Sequence, residues 1–266
     1  MKLLALDFDG VISDSAPEAF VVALRTFCAL HPETALFGAA ERLLRGDASP
    51  FPDAVVAHPL YAPFLESMPL GNRAEDYAVV LMAIESGTVL EDQRAYDLYK
   101  AARDPAGLRT FHRRFYAMRT AMADADPAAW QRLMGAYPGV PEWLRRRAGD
   151  AVLAIATAKD RGSVGRLLRI YGIEDLFPED RVLDKDTGVS KCAHLEHLQG
   201  RFGFEMRDMT FVDDKVSHLE AVQRLGVRCA LAGWGYNGSR ESERARELGC
   251  LVLALDDADA LLFDAG

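Results

Sequence analysis

Asp7-Phe8-Asp9-Gly10 closes a short apolar run, Leu3 to Leu6, and sets two carboxylates at the end of what reads as a strand buried on both faces. In an extended chain, side chains two apart share a side, so Asp7 and Asp9 face one way while Phe8 turns into the core. Gly10 lets the backbone turn tightly at little steric cost. Asp and Gly are also ordinary turn residues, and the tetrapeptide alone is equally an acidic turn. What favours chemistry is position, since ligands of open α/β sheets lie beyond the carboxyl ends of the strands, and three more sites of that kind follow.

Thr157 ends the apolar segment Ala151 to Ala156 and precedes Ala158, Lys159 and Asp160. A hydroxyl and unpaired backbone N–H groups just before a helix make an anion cradle, although a Thr or Asp N-cap is the plainer reading of the same residues. Lys191 opens a helix expected over Lys191 to Phe202, after Thr187-Gly188-Val189-Ser190. An ammonium there balances clustered carboxylates and holds a phosphoryl oxygen, with Lys185 as the fallback. Phe211-Val212-Asp213-Asp214 is another apolar strand ending in acids, and adjacent carboxylates repel unless a cation compensates. Together these groups suit phosphoryl transfer. Mg²⁺ prefers oxygen ligands, commonly one or two carboxylates plus phosphate and water. An aspartate nucleophile splits hydrolysis into two easier steps, and a second aspartate serves as acid and then base, typically worth 10²- to 10⁴-fold.

The elements that must position these residues alternate. From Tyr137-Pro138-Gly139 onward, helix follows strand to the end of the chain: strands over Ala151 to Ala156, Arg181 to Asp184, Met209 to Val212, Arg228 to Ala232 and Leu251 to Leu255, with helices between them. Such alternation is the signature of a parallel sheet with crossover helices. Residues 15 to 137 read differently. Their periodicities are helical, as in Ala74 to Ser86 with Gly87 as a stop, and Gln93 to Asp124 broken near Asp104-Pro105. Five prolines make Ser49 to Leu70 a structured loop with at most short turns. The expected architecture is a doubly wound α/β core of residues 1 to 14 and 138 to 266, with 15 to 137 inserted as a helical cap over the strand ends.

A chain of 266 residues with 50% hydrophobic and 27% charged content has the composition of an ordinary globular protein. A formal net charge of -9 argues against a nucleic-acid binder or an anionic membrane surface, while a local basic pocket still admits a small phosphorylated metabolite. The four cysteines show no metal-type pairing, and reduced thiols are expected. With no long apolar run and Asp7 interrupting the first, the expected location is the cytoplasm. Nothing in the sequence bears on oligomeric state.

Asp7-Phe8-Asp9-Gly10-Val11, Thr157, Lys191 and Asp213-Asp214 resemble, in order and spacing, the four motifs of the haloacid dehalogenase superfamily. Asp14-Ser15-Ala16-Pro17 resembles the start of the α-helical cap in its phosphoglycolate-phosphatase-like members. The resemblance implies a Rossmann-like core, Mg²⁺ as cofactor, and Asp7 as nucleophile and metal ligand. It implies Asp9 as general acid/base with its backbone carbonyl on the metal, and Thr157, Ala158 and Lys191 on the phosphoryl group. Asp214 falls on the usual direct metal ligand with Asp213 beside it. Many relatives carry an acid four residues after that ligand; here the position is His218, and Asp213 is the expected substitute.

The glycine-aromatic loop Gly233 to Gly238 also resembles one near the site in such proteins, yet Trp234 and Tyr236 are equally core or cap-contact residues. His194 and His197, three apart on one helix, lack a third metal ligand. The apolar stripe Phe111, Phe115, Met118 and Met122 accounts for the aromatics among the arginines of residues 109 to 119 without a nucleic-acid patch. The implied activity is hydrolysis of a small phosphate monoester, with a phosphomutase or a catalytically silent binding module as alternatives. Asp9 favours the phosphatase, since dehalogenases and phosphonate-cleaving relatives typically lack that second aspartate. Specificity is expected in the cap, in Ser49 to Asn72.

Overall fold

The computed structural model describes residues 1–44, 49–71, 73–184, 186–188 and 190–263. Lys185 and Asn72, named above, lie outside the described residues. The chain forms two compact units, Met1–Asp14 with Gly135–Gly266, and Ser15–Met134.

The first unit is built on a parallel sheet. In chain order its strands are β1 (Leu3–Leu6), β2 (Ser13–Asp14), β3 (Gly135–Ala136), β4 (Val152–Ala156), β5 (Val182–Leu183), β6 (Met209–Asp213), β7 (Arg228–Ala232) and β8 (Leu251–Leu253). Six of them form the main sheet in the order β5-β4-β1-β6-β7-β8, while β2 and β3 pair separately as an antiparallel ribbon. β1 sits inside the sheet, and all four of its residues are buried and apolar, as suits a strand paired on both sides and covered on both faces. Its register sets Leu3 against Val152 and Met209, and Leu6 against Ile155 and Val212. The strand ends that carry the candidate residues are therefore level with one another.

From β1 the sheet grows outward through β4 to β5, and the chain then returns to the other side of β1 to add β6, β7 and β8. That reversal opens a crevice at the carboxyl ends of β1, β4 and β6, where an open α/β sheet takes its ligand. On one face Leu3, Ala5, Phe211 and Leu231 pack against Leu195, Leu198 and Leu219 of the covering helices. Alternation sends Leu4 and Leu6 to the other face.

Gly135 and Ala136 belong to this unit, three residues earlier than the boundary expected at Pro138, because they pair with Asp14 and Ser13. Two-residue strands carry no periodicity, which is why the ribbon is invisible in the sequence.

In the second unit every element among the described residues is a helix. Ala74–Ser86 ends at Gly87 with φ 65°, the left-handed stop its glycine suggested. Pro105–Ala125 buries Phe111, Phe115 and Met122 as one stripe. Glu18, fully buried on the helix Ala16–Leu30, is held by Arg119 at 2.7 Å through each oxygen and by Trp130 Nε1 at 3.1 Å. The loop expected over Ser49 to Leu70 instead contains the helices Pro52–Val56 and Tyr61–Ser67 and a 3₁₀ turn Met68–Leu70. Pro52 and Pro63 lie in first turns, where the missing N–H has no intrahelical partner to lose. No helix among the described residues is long and apolar enough to cross a membrane.

Candidate active site

β1 ends at Leu6, and the next residue, Asp7, is still tied to the sheet by its N–H on Val212 O at 2.9 Å. Phe8 is fully buried, as expected. Its carbonyl accepts from the N–H groups of Val11, Ile12 and Ser13, while Gly10, at φ 82°, closes the loop onto Ser13 O at 2.8 Å. This tight loop presents Asp7 and Asp9 at the crevice. Asp7 Oδ1 takes the Phe8 N–H at 2.7 Å.

Lys191 reaches Asp7 from across the crevice. Its helix, Lys191–Phe202, is capped by Ser190, whose Oγ accepts the Ala193 N–H at 3.2 Å. Nζ lies 2.8 Å from Asp7 Oδ2, 3.2 Å from Asp213 Oδ2 and 2.7 Å from the Ala156 carbonyl at the end of β4. Asp213, the last residue of β6, accepts a second bond on the same Oδ2 from His218 Nδ1 at 3.0 Å, and the Lys215 N–H on Oδ1 at 2.8 Å.

Asp214 points elsewhere, as adjacent residues of an extended chain must. Its Oδ2 accepts the Tyr236 N–H at 3.0 Å, and Asn237 Nδ2 donates to its carbonyl at 3.2 Å. The glycine-aromatic loop therefore serves the site through its backbone. Tyr236 is buried, and Trp234 Nε1 donates to Val11 O at 3.1 Å. Two glycines make room for Asp214. A Cβ at Gly10 would lie 2.4 Å from Asp214 Oδ2, and one at Gly235 would lie 2.3 Å from Gly10 O and 2.4 Å from Asp214 Cβ. Gly235→Ala is expected to destabilise the core unit by about 1–3 kcal/mol through overpacking. An unchanged melting transition would show that the loop relaxes freely.

Thr157 is buried beyond β4, with its N–H on Leu183 O at 2.9 Å. Its Oγ1 accepts the Lys159 N–H at 3.1 Å and keeps its proton to donate. Lys159 Nζ lies 3.1 and 3.4 Å from the two oxygens of Asp9. The structure thus brings Asp7, Lys191 and Asp213 into direct contact, joins Asp9 to the Thr157 turn through Lys159, and sets Asp214 against Gly10. Lys159 was named in the sequence only as a neighbour of Thr157. The signal was there, since a cation two residues after a candidate phosphate hydroxyl can return to the same side. His194 is a core histidine, with Nε2 3.0 Å from the carbonyls of both Asp184 and Gly188.

The electrostatics express three buried carboxylates sharing few cations. Burial, with Asp213 nearby, pushes the Asp7 carboxyl above its ordinary range against the pull of Lys191. Burial and Asp213 push Asp214 well above it. Burial acts the same way on Asp213, but Lys191 and His218 more than offset it and hold that group low. Lys191 loses to burial and gains more from Asp213 and Asp7, so it stays firmly protonated. Asp7, Asp213 and Asp214, with Lys191 between the first two and Lys215 acting on the third, gather carboxylates whose hard oxygen donors fit a small divalent cation such as Mg²⁺. Asp7, Asp213 and His218 also bring ligand atoms within 4.8 Å of one another. In that group, however, Asp213 Oδ2 already carries both Lys191 and His218, so a cation there would compete with an ammonium.

The same doubly wound α/β architecture occurs in a haloacid dehalogenase-like family hydrolase of Streptococcus pneumoniae, with TM-score 0.63 over 99% of this chain and 98% of that one at 11% identity. The haloacid dehalogenase-like hydrolase model matches residues 1–226, and the chain belongs to that family. Over 107 residues it is 36% identical to the phosphoglycolate phosphatase of Haemophilus influenzae, covering 38% of this chain and 46% of that protein. Over 95 residues it is 30% identical to human magnesium-dependent phosphatase 1, covering 35% and 52%. The matched stretches thus span about half the length of these relatives.

Proposed function

We propose that this protein is a Mg²⁺-dependent phosphatase that hydrolyses a small phosphate monoester through a phosphoaspartate on Asp7. The observation that carries the reading is the Asp7 carboxylate, buried at the end of the central strand and fixed between the Phe8 N–H and Lys191. Asp7 attacks phosphorus as the bond to the leaving oxygen breaks, and Asp9 gives that oxygen a proton. Asp9 then takes a proton from the water that attacks the phosphoaspartate, releasing phosphate and restoring Asp7. Thr157 Oγ1 and the Ala158 N–H supply donors to the phosphoryl oxygens. Asp7, the Asp9 carbonyl and Asp214 would hold the cation, which when bound would neutralise charge on the phosphoryl group. Asp213 keeps Lys191 beside Asp7 and is not itself a ligand. This departs from the expectation that Asp213 replaces the acid missing at His218.

The phosphoglycolate and magnesium-dependent phosphatases among the relatives support this reading and make 2-phosphoglycolate the first substrate to assay. The test is Mg²⁺-dependent release of inorganic phosphate from that compound, from p-nitrophenyl phosphate and from a panel of metabolite monoesters. Release from at least one, abolished by chelation, is expected. Isomer formation without release would transfer the protein to the phosphomutases, and silence across the panel would mark a binding module.

A further inference from the structure

The helix Pro105–Ala125 is positively charged in a chain whose formal net charge is -9: between Pro105 and Met122 it carries Arg109, Arg113, Arg114 and Arg119 and no acid. Arg119 is spent on the buried Glu18. Arg109 and Arg113, exposed and one turn apart, share a side of the helix with Pro105, Leu108 and His112. There they line a cavity of about 480 Å³, a size that takes a small molecule. Glu75 and Lys100 also line it, so every lining residue belongs to the helical unit.

Two of the lining charges are already matched. Glu75 Oε2 lies 2.6 Å from His112 Nδ1, and Lys100 is held by Asp76 Oδ1, which also takes the Tyr96 hydroxyl at 2.5 Å. The arginines are not matched. Among the described residues Arg113 Nη2 donates only to the neutral Thr110 Oγ1, at 3.2 Å, and Arg109 has no hydrogen bond or ion pair. Asp104, on which Arg109 acts through space, already takes the Ala106 and Gly107 N–H groups at 3.0 and 2.8 Å. Two guanidinium forks without a carboxylate therefore stand beside the apolar surface of Pro105 and Leu108.

We propose that this cavity is a binding site for a small organic monoanion, a carboxylate or sulfonate on an aliphatic or aryl body. The head takes paired N–H bonds from a guanidinium, a geometry in which arginine surpasses lysine. The body covers Pro105, Leu108 and the apolar stems of the two arginines, whose charged ends stay at the rim. A sugar phosphate does not belong to this class, because Pro105 and Leu108 offer its hydroxyls no partner and burying an unpaired hydroxyl is costly. The site therefore takes a different chemistry from the acidic crevice of the core unit, and binding there does not depend on the phosphatase reading.

The test is a fluorescence titration of the full chain with 8-anilinonaphthalene-1-sulfonate at low ionic strength, followed by displacement of the dye with octanoate. Saturable binding with Kd on the order of 10–100 µM is expected. It should weaken in roughly 0.5 M NaCl, where exposed charges are screened. Arg109→Gln/Arg113→Gln should weaken dye and octanoate together by about ten- to a hundredfold through loss of the charge-assisted bonds. Arg114→Gln, on another side of the helix, should leave both unchanged. Both lining arginines are exposed, so the double variant should melt like wild type; were it to misfold, Arg113→Gln alone carries the test with a smaller loss. Methyl octanoate, with the same chain and no charge, should not displace the dye. Absence of saturable binding in wild type, displacement by the ester as strong as by octanoate, or equal affinity in wild type and the arginine variants would each overturn the proposal.

Discussion

Asp7→Asn is expected to lower Mg²⁺-dependent phosphate release by on the order of 10³-fold or more while leaving the core unit folded, because the amide cannot form the acyl phosphate of the proposed reaction. The substitution is close to isosteric, and the Phe8 N–H can still be accepted by the amide oxygen in place of Asp7 Oδ1. Removing the charge also relieves a strain of the metal-free site. Burial raises the pKa of Asp7, so in the absence of a cation its ionised form is disfavoured by folding. In EDTA the variant should therefore melt no lower than wild type, whereas in Mg²⁺ it should gain less stability, having lost a ligand. Phosphate release and thermal melting with and without metal check both halves. Residual turnover within tenfold of wild type would place the nucleophile elsewhere.

The framework of this site was legible in the sequence because strand ends announce themselves. Leu3 to Leu6 and Ala151 to Ala156 are apolar runs that stop at Asp7 and Thr157, and the largely apolar Met209 to Val212 stops at Asp213, as suits strands buried inside a parallel sheet. The helix Ala74–Ser86 was likewise marked by its stop at Gly87, and Lys191–Phe202 by its helical pattern, whose caps at Ser190 and Gly203 the structure adds. What stayed hidden depends on direction. Asp213 and Asp214 are consecutive, so composition cannot say which faces the lysine; the sheet decides, turning Asp213 to Lys191 and Asp214 to the Tyr236 N–H. The prolines between Ser49 and Leu70 counted against helices, yet three of them, Pro52, Pro63 and Pro69, occupy first turns. The commitment of Lys191 to three acceptors could not be counted before the Ala156 carbonyl was in view.

That commitment makes Lys191→Met the variant with the largest expected effect on stability. Lys191 is buried between Asp7 and Asp213, and truncating one partner of a buried ion pair costs about 3–5 kcal/mol because the remaining charge has no counter-ion. Asp213 suffers more than Asp7. Its low pKa is sustained first by Lys191 and then by His218, so without the lysine it must either protonate or rest on the histidine and the Lys215 N–H. The loss should accordingly be partly restored in the double variant Lys191→Met/Asp213→Asn, which removes the stranded charge as well as its partner. Mg²⁺ should also narrow the gap, since a divalent cation near Asp7 replaces some of the missing positive charge. Denaturant titrations of the two single variants and the double variant, each with and without Mg²⁺, measure the coupling directly. If Lys191→Met were as stable as wild type and the double variant recovered nothing, the ammonium would not be the counter-ion of these acids.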